Sequence, residues 1–159
     1  MKKINNPFTN IDGYNCFGCS PHNHLGLKLE FWLNEEDNSI ESKWNPDNCL
    51  EGFKDVVHGG VQAAVMDEIA SWVIFAQLGT VGVTSKMEVR YLKPANMSYG
   101  TFTVKAKLIS REVPYAKISV QILDGMNEPC TEADIHFFVY PETFAVKKFN
   151  YPGIKTFIE

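Results

Sequence analysis

An apolar stretch over residues 61–78 most constrains how this chain can fold. Its apolar residues recur at the spacing of one helix face, and most positions between them are apolar as well. That face consists of Val61, Val65, Ile69, Trp72, Val73 and Ala76. The stretch is interrupted by Gln62, Asp67, Glu68 and Ser71. It is therefore too short and too polar to span a bilayer, and we expect one long helix buried inside a globular domain.

Two adjacent carboxylates, Asp67 and Glu68, lie within this helix. An ionised carboxylate is costly to bury, so each needs a hydrogen-bonded niche, access to solvent or a chemical role. Neighbouring residues point about 100° apart around a helix, so the two cannot face one substrate. We expect Asp67 to be the catalytic acid, with a salt bridge or cap at a dimer interface as the alternative. Glu68 is expected to be structural or to lie at the mouth of the site, with a catalytic Glu68 as the alternative. Ser71 either orients Asp67 or bonds the helix backbone.

The pair Gly59-Gly60 precedes the helix, where unpaired amides at the positive end of the helix dipole can hold an oxyanion. His58 is expected to fix this turn, with a general-base role as the alternative. At about 1.5 Å per residue, Asp67 lies roughly 12 Å beyond Gly59, so one carbonyl cannot contact both. A reaction that uses both residues predicts two copies of the chain, with antiparallel helices across a two-fold axis.

Alternating apolar and polar residues on both sides of the helix predict strands. These strands cover residues 25–33, 40–44, 84–92, 102–108, 116–122 and 133–139. One helix covered by a curved antiparallel sheet of five to six strands makes an α+β fold. We expect the 159 residues to form one domain, with an N-terminal arm at 1–15 and a C-terminal tail at 141–159.

The net charge of −4, with no basic stripe, argues against nucleic acid as a partner. Lys2 and Lys3 have no apolar run behind them, so we expect no signal peptide, no membrane insertion and a cytoplasmic location. The four cysteines are then expected to be reduced thiols.

Cys16 and Cys19 form a C-x-x-C motif that is followed by His22 and His24. Zinc accepts these ligand types at this spacing, and the alternative is a buried loop in which small thiols pack. A second clean pair of ligands is missing, and two histidines one residue apart rarely bind one ion together. The sequence therefore favours the buried loop, and no metal site is predicted.

The ordered set of motifs resembles the hotdog-fold acyl-CoA thioesterases. Within the 4-hydroxybenzoyl-CoA thioesterase superfamily it is most similar to the branch typified by the phenylacetate-pathway thioesterase. The motifs are C-F-G-C (16–19), Asn23, Gly26-Leu27, V-H-G-G (57–60), Asp67-Glu68, Val83-Thr84 and R-Y-L-K-P-A (90–95). The likeness covers about residues 16–140. It implies the hotdog fold, an acyl-CoA substrate, no cofactor beyond the coenzyme A of the substrate, and a homodimer or a dimer of dimers.

The resemblance also implies roles for particular residues. The amide of Gly59 or Gly60 matches the oxyanion donor, Asp67 matches the base or nucleophile, and Thr84 falls near the attacking water. Some members carry an asparagine six residues before the histidine, which orients the thioester, where this chain has Gly52. Substrate-binding residues are expected at Arg90, Tyr91, Lys93 and Arg111. The three basic side chains would meet coenzyme A phosphates or would remain solvated charges.

The leading hypothesis is hydrolysis of acyl-CoA by Asp67 of one subunit and the Gly59/Gly60 amides of its partner. The alternative is a non-catalytic acyl-CoA or lipid-binding protein with the same fold. A serine hydrolase is disfavoured because the sequence has no Gly-x-Ser-x-Gly elbow.

Overall fold

The long helix lies across one face of an antiparallel sheet in the computed structural model, which describes residues 1–158. Helix α1 spans Gly59–Val73 and continues as a π-helical segment over Ile74–Leu78. It ends at Gly79, whose left-handed backbone (φ +68°) suits a residue without a side chain. The predicted helix is confirmed, and it begins two residues earlier than the apolar pattern indicated.

Seven strands form the sheet, in the spatial order β1-β2-β3-β7-β8-β9-β6. Their bounds are β1 Lys2–Ile4, β2 Phe31–Asn34, β3 Ser39–Trp44, β6 Gly82–Tyr91, β7 Phe102–Glu112, β8 Tyr115–Leu123 and β9 Pro129–Val139. A separate two-stranded ribbon, β4 (Glu51–Phe53) and β5 (Val56–Val57), leads into α1. A short helix α2 covers Glu142–Phe149. This architecture is the hotdog fold that the sequence predicts.

The core fills the space between α1 and the sheet. The buried residues of α1 are Gln62, Val65, Met66, Ile69, Ala70, Trp72 and Val73. Trp72 also stacks on Phe31 of β2, with 4.5 Å between ring centroids. By length and composition alone, Gly59–Leu78 could span a membrane, so the expectation that this stretch is too short and too polar to do so was wrong. Half of its most apolar window is buried in the protein, so core packing accounts for its apolar character.

Strand β6 departs from the expected meander, in which the strands after the helix would pair in sequence order. It pairs with β9 and occupies the edge of the sheet, while β7 lies beside β3. Alternation of apolar residues reports which face of a strand is buried, not which strand lies next to it. The edge position is therefore a structural result that the sequence pattern did not contain.

The predicted strand at residues 25–33 is wrong over most of its length, because β2 begins only at Phe31. Leu25 is 73% exposed, and Lys28 adopts a left-handed backbone with φ of 53° that interrupts an extended chain. The alternating leucines therefore lie partly in a loop. Of the apolar residues in this loop, Leu29 is buried and anchors it to the core.

The arm and the tail both pack on the core. Residues 2–4 pair with β2, which raises the number of strands above the five or six expected. The arm contributes the buried Phe8, and the tail contributes the buried Tyr151 and Phe157. The ring of Phe157 meets those of Phe8 at 5.6 Å and Trp72 at 5.8 Å. This aromatic cluster joins both ends of the chain to the end of α1.

Replacing Ile69 with alanine tests the core. Ile69 is fully buried on α1, so Ile69→Ala should lower the free energy of unfolding by about 2 to 5 kcal/mol through lost burial and a cavity. Denaturant unfolding measures the change. The same substitution at Ile109, which is 54% exposed on β7, should change it by less than about 0.5 kcal/mol. Equal losses at the two positions would contradict the described packing.

Candidate active site

His58 fixes the turn that begins α1. Its backbone N–H donates to the carbonyl of Leu50 at 2.9 Å, and its side-chain Nδ1 accepts from the N–H of Gly60 at 3.0 Å. Its carbonyl accepts from Val61 and Gln62 at the start of the helix. Because Nδ1 already accepts a hydrogen bond, His58 acts as the helix cap in this arrangement. The alternative of a general base has no geometric support.

Of the two glycines at the start of α1, Gly59 is the one whose backbone N–H is free to bind another molecule. Its N–H has no hydrogen-bond partner among residues 1–158, whereas the N–H of Gly60 is bonded to His58. The carbonyl of Gly59 accepts from the Tyr91 hydroxyl at 2.7 Å, and a Cβ at Gly59 would lie 3.3 Å from the Tyr91 ring. Tyr91 thus holds the carbonyl of Gly59 in place, while the N–H of Gly59 stays free at the positive end of the helix dipole.

Gln62 ties the beginning of α1 to the structure around it, a role that the sequence analysis missed. Its side chain is 3% exposed. Nε2 donates to the carbonyl of Val57 at 2.9 Å, and Oε1 accepts from the hydroxyl of Thr131 on β9. A polar residue inside an otherwise apolar helix is the sequence signal that could have indicated such a bridge.

A cleft of about 660 Å³ opens beside Gly59 at the start of α1. Its apolar walls come from Phe53, Val56, Leu92 and Pro94, and its polar lining includes His58, Gly59, Tyr91 and Lys93. Phe53 is 82% exposed and Leu92 is 51% exposed, although both are large and apolar. A cleft with apolar walls and few polar groups is typical of a small-molecule site.

Asp67 lies on the side of α1 that faces β6. The hydroxyl of Thr84 donates to Asp67 Oδ1 at 2.6 Å, while Oδ2 has no hydrogen-bond partner among the described residues. Ser71 donates to the backbone carbonyl of Asp67 at 3.1 Å and makes no bond to its carboxylate. Of the two roles considered for Ser71, the structure supports the backbone one. Asp67 and Thr84 therefore form a partly exposed acid–hydroxyl pair.

Glu68 points away from this pair, into a cluster of thiols. Trp72 Nε1 donates to Glu68 Oε1 at 3.0 Å, and Cys16 Sγ lies 3.5 Å from Oε2. Burial, followed by the negative charge of Cys16, raises the pKa of Glu68 to about 7. Hydrogen bonding with Cys19 lowers the pKa of Cys16 to about 5. Glu68 thus contacts a thiol and an indole, and it points away from Asp67. Its expected structural role stays a prediction.

The four predicted substrate-binding residues do not come together in one chain. Tyr91 and Lys93 line the cleft at Gly59, and Lys93 Nζ also lies 2.8 Å from Asp124 Oδ2. Arg90 instead faces acids on β6 and β9, with Asp134 Oδ2 at 3.6 Å. The remaining residue, Arg111, borders a different cavity.

Gly52 packs directly against His58. A Cβ at Gly52 would lie 3.2 Å from His58 Cα and 3.4 Å from His58 Cδ2. An asparagine could fit only if the histidine moved. The glycine at position 52 is therefore coupled to the position of this histidine cap.

Residues 54–130, which contain α1 and Thr84, match the model of the Thioesterase superfamily. An uncharacterized protein of Schizosaccharomyces pombe is 27% identical to this chain over 125 residues, which cover 76% of this chain and 70% of that protein. The predicted resemblance to the thioesterase superfamily is confirmed, and membership of the phenylacetate-pathway branch stays a prediction.

Solved structures share the fold. A thioesterase superfamily protein superposes with a TM-score of 0.67 at 20% identity, over 77% of this chain but only 62% of its own length. A hypothetical thioesterase from Streptococcus pneumoniae, crystallised with coenzyme A, gives a TM-score of 0.64 at 21% identity. That match covers 72% of this chain and 87% of the other. At these identities the likeness establishes the hotdog fold.

Gln62→Leu should lower the free energy of unfolding by about 1 to 3 kcal/mol, because it leaves buried groups of Val57 and Thr131 without partners. Adding Thr131→Val should recover part of the loss, and chemical denaturation of the single and double variants measures the coupling. Gln121→Leu is the control, because Gln121 bonds Glu132 at a partly exposed position where water can replace it. Fully additive losses would show that the bridge does not exist.

Proposed function

We propose that this chain hydrolyses acyl-CoA thioesters to a free acid and coenzyme A. The observation that carries the proposal is the Asp67 carboxylate, which the Thr84 hydroxyl holds at Oδ1 and whose Oδ2 is unpaired within the described chain. A carboxylate fixed in this way on a largely buried helix is suited to accept a proton from water. The match to the thioesterase superfamily, and the coenzyme A in the Streptococcus pneumoniae relative, support the substrate class.

In the proposed reaction, Asp67 Oδ2 accepts a proton from a water molecule as the water oxygen attacks the thioester carbonyl carbon. The carbonyl oxygen becomes an oxyanion, which the free N–H of Gly59 stabilises. The intermediate then collapses, the carbon–sulfur bond breaks and coenzyme A leaves as the thiolate, which takes up a proton. In the variant with Asp67 as nucleophile, Oδ2 attacks the carbonyl carbon, the carbon–sulfur bond breaks and coenzyme A leaves as the thiolate. Water then hydrolyses the resulting anhydride to the free acid and the Asp67 carboxylate.

Two copies of the chain are needed to assemble this site. Gly59 and Asp67 are separated by about 12 Å along α1, so they cannot both reach one carbonyl carbon. Strand β6 touches both ends of this span, through Thr84 at Asp67 and through Tyr91 at Gly59. A two-fold axis near the middle of β6 would bring the Asp67 end of one copy to the Gly59 end of the other.

The exposed edge of β6 supports such a dimer. One side of β6 pairs with β9, and its other side pairs with no strand in residues 1–158. The strand is ten residues long, and Val83 and Tyr91 on it are 41% and 53% exposed. A long free edge tends to pair with another chain. In the dimer, Lys93 would contact coenzyme A from the cleft, and Arg90 or Arg111 would reach it only across the interface.

The Asp67→Asn variant tests the chemical role. Asparagine keeps an oxygen that accepts from Thr84 but cannot take up a proton, so turnover of acyl-CoA should fall at least about a hundredfold. The melting temperature should change little, because the hydrogen bond is retained. Hydrolysis assays over acyl-CoAs of varied chain length and aromaticity, with thermal melts, measure both. Asp12→Asn makes the same change at an exposed residue of the arm and should leave turnover unaltered.

Normal turnover by a folded Asp67→Asn protein would contradict the proposal. Binding of acyl-CoA without turnover by the wild type, across the whole panel, would instead indicate the non-catalytic binding protein. A large drop in melting temperature together with activity would assign Asp67 to a structural ion pair.

A further inference from the structure

Three potential metal ligands meet outside the proposed active site. The sulfur atoms of Cys16 and Cys19 and a carboxylate oxygen of Glu68 all lie within 4.8 Å of one another. Cys16 Sγ is 3.6 Å from Glu68 Oε1 and 3.5 Å from Oε2. The loop before β2 supplies both thiols, and α1 supplies the carboxylate. The C-x-x-C motif thus gains a third ligand that is distant in sequence and was not considered in the sequence analysis.

We propose that Cys16, Cys19 and Glu68 bind one zinc ion, with water as the fourth ligand. Zinc binds sulfur at about 2.3 Å and oxygen at about 2.0 Å in a tetrahedron, which separates a sulfur and an oxygen ligand by about 3.5 Å. The distances from Cys16 to Glu68 match that separation. His22 and His24, the candidate ligands in the sequence, are exposed and are not members of the cluster. The proposal replaces the expectation of a purely packed thiol loop.

The surroundings of Glu68 are built to hold its carboxylate at the thiols. A Cβ at residue 18 would lie 2.3 Å from Glu68 Cδ, so only glycine at this position lets the carboxylate enter. The indole of Trp72 donates to Oε1 and orients the group, as partners around metal ligands commonly do. The loop is fixed by backbone bonds from Leu29 to Gly18 at 2.9 Å and from Leu27 to Phe17 at 2.8 Å.

The cluster lacks a positive partner. No lysine or arginine within residues 1–158 forms an ion pair with Glu68. Its contacts are the thiol of Cys16 and the indole of Trp72. Cys19 in turn lies 2.8 Å from the hydroxyl of Tyr14, which can donate to a thiolate. A divalent cation would supply a positive partner for the buried carboxylate, and the two sulfurs would bind it as thiolates after losing their protons.

Zinc at this position would join the loop at residues 16–19 to α1 at Glu68, the residue that follows Asp67. The ion would therefore be structural, and its binding free energy would add to the stability of the fold. No step of the proposed hydrolysis passes through it.

Titration of the metal-free, reduced full-length chain with Zn²⁺ tests the proposal. The wild type should bind about one ion, and Cys16→Ser and Glu68→Gln should each weaken binding at least about tenfold. Cys49→Ser is the matched control, because Cys49 is exposed and lies outside the cluster; it should bind like the wild type. Loading with Co²⁺ should give thiolate-to-cobalt absorption that Cys16→Ser weakens and that the double substitution Cys16→Ser with Cys19→Ser abolishes.

A second measurement needs only the wild type and remains informative if the variants do not fold. Bound Zn²⁺ should protect Cys16, which is partly exposed, but not the exposed Cys49, from alkylation, as read by mass spectrometry. A folded, reduced wild type that binds no Zn²⁺, or shows no such protection, would overturn the proposal. Unchanged affinity in a folded Cys16→Ser or Glu68→Gln protein would do the same.

Discussion

The spacing of Gly59 and Asp67 on one continuous helix is the constraint on which the proposed reaction depends. About 12 Å of rigid helix separates them, and burial of α1 against the sheet prevents the helix from bending to bring them together. Both residues nonetheless contact the same edge strand, β6. Gly59 bonds Tyr91, and Asp67 bonds Thr84. In the proposed dimer, the edge of the sheet would present the two halves of the site, an amide donor at one end and a carboxylate at the other.

Helix geometry places the two neighbouring carboxylates of α1 in different surroundings. Asp67 faces β6, with one oxygen held by Thr84 and the other free. Glu68 is rotated by about 100° and enters the cluster of Cys16 and Trp72, where burial keeps its pKa near 7. In the proposed reaction Asp67 is the carboxylate that takes part in the chemistry, whereas Glu68 contacts the loop before β2.

Much of the fold was predictable from the sequence because it rests on local rules. The spacing of the apolar residues predicted α1, and the pair Gly59-Gly60 marked where it begins. The alternation of apolar and polar residues predicted β3 and β6 to β9. The false strand at residues 25–30 arose because leucine alternation persists where Lys28 breaks the extended backbone. The position of β6, the pairing of residues 2–4 and the aromatic cluster of Phe157 depend on contacts between distant segments. The hydrogen bond between Thr131 and Gln62 and the contact of Glu68 with Cys16 also join distant segments, so the sequence did not predict them.

Subunit complementation tests most directly whether the site is shared between two copies. Gly59→Pro removes the free amide at the first helical position, where proline is tolerated, and ψ of 131° at His58 suits a residue before proline. This variant and Asp67→Asn, each inactive alone, would be unfolded and refolded together, and acyl-CoA hydrolysis would be measured. Random pairing yields one intact site in each mixed dimer, so the account predicts about a quarter of wild-type activity per chain. A mixture no more active than either variant refolded alone would contradict it.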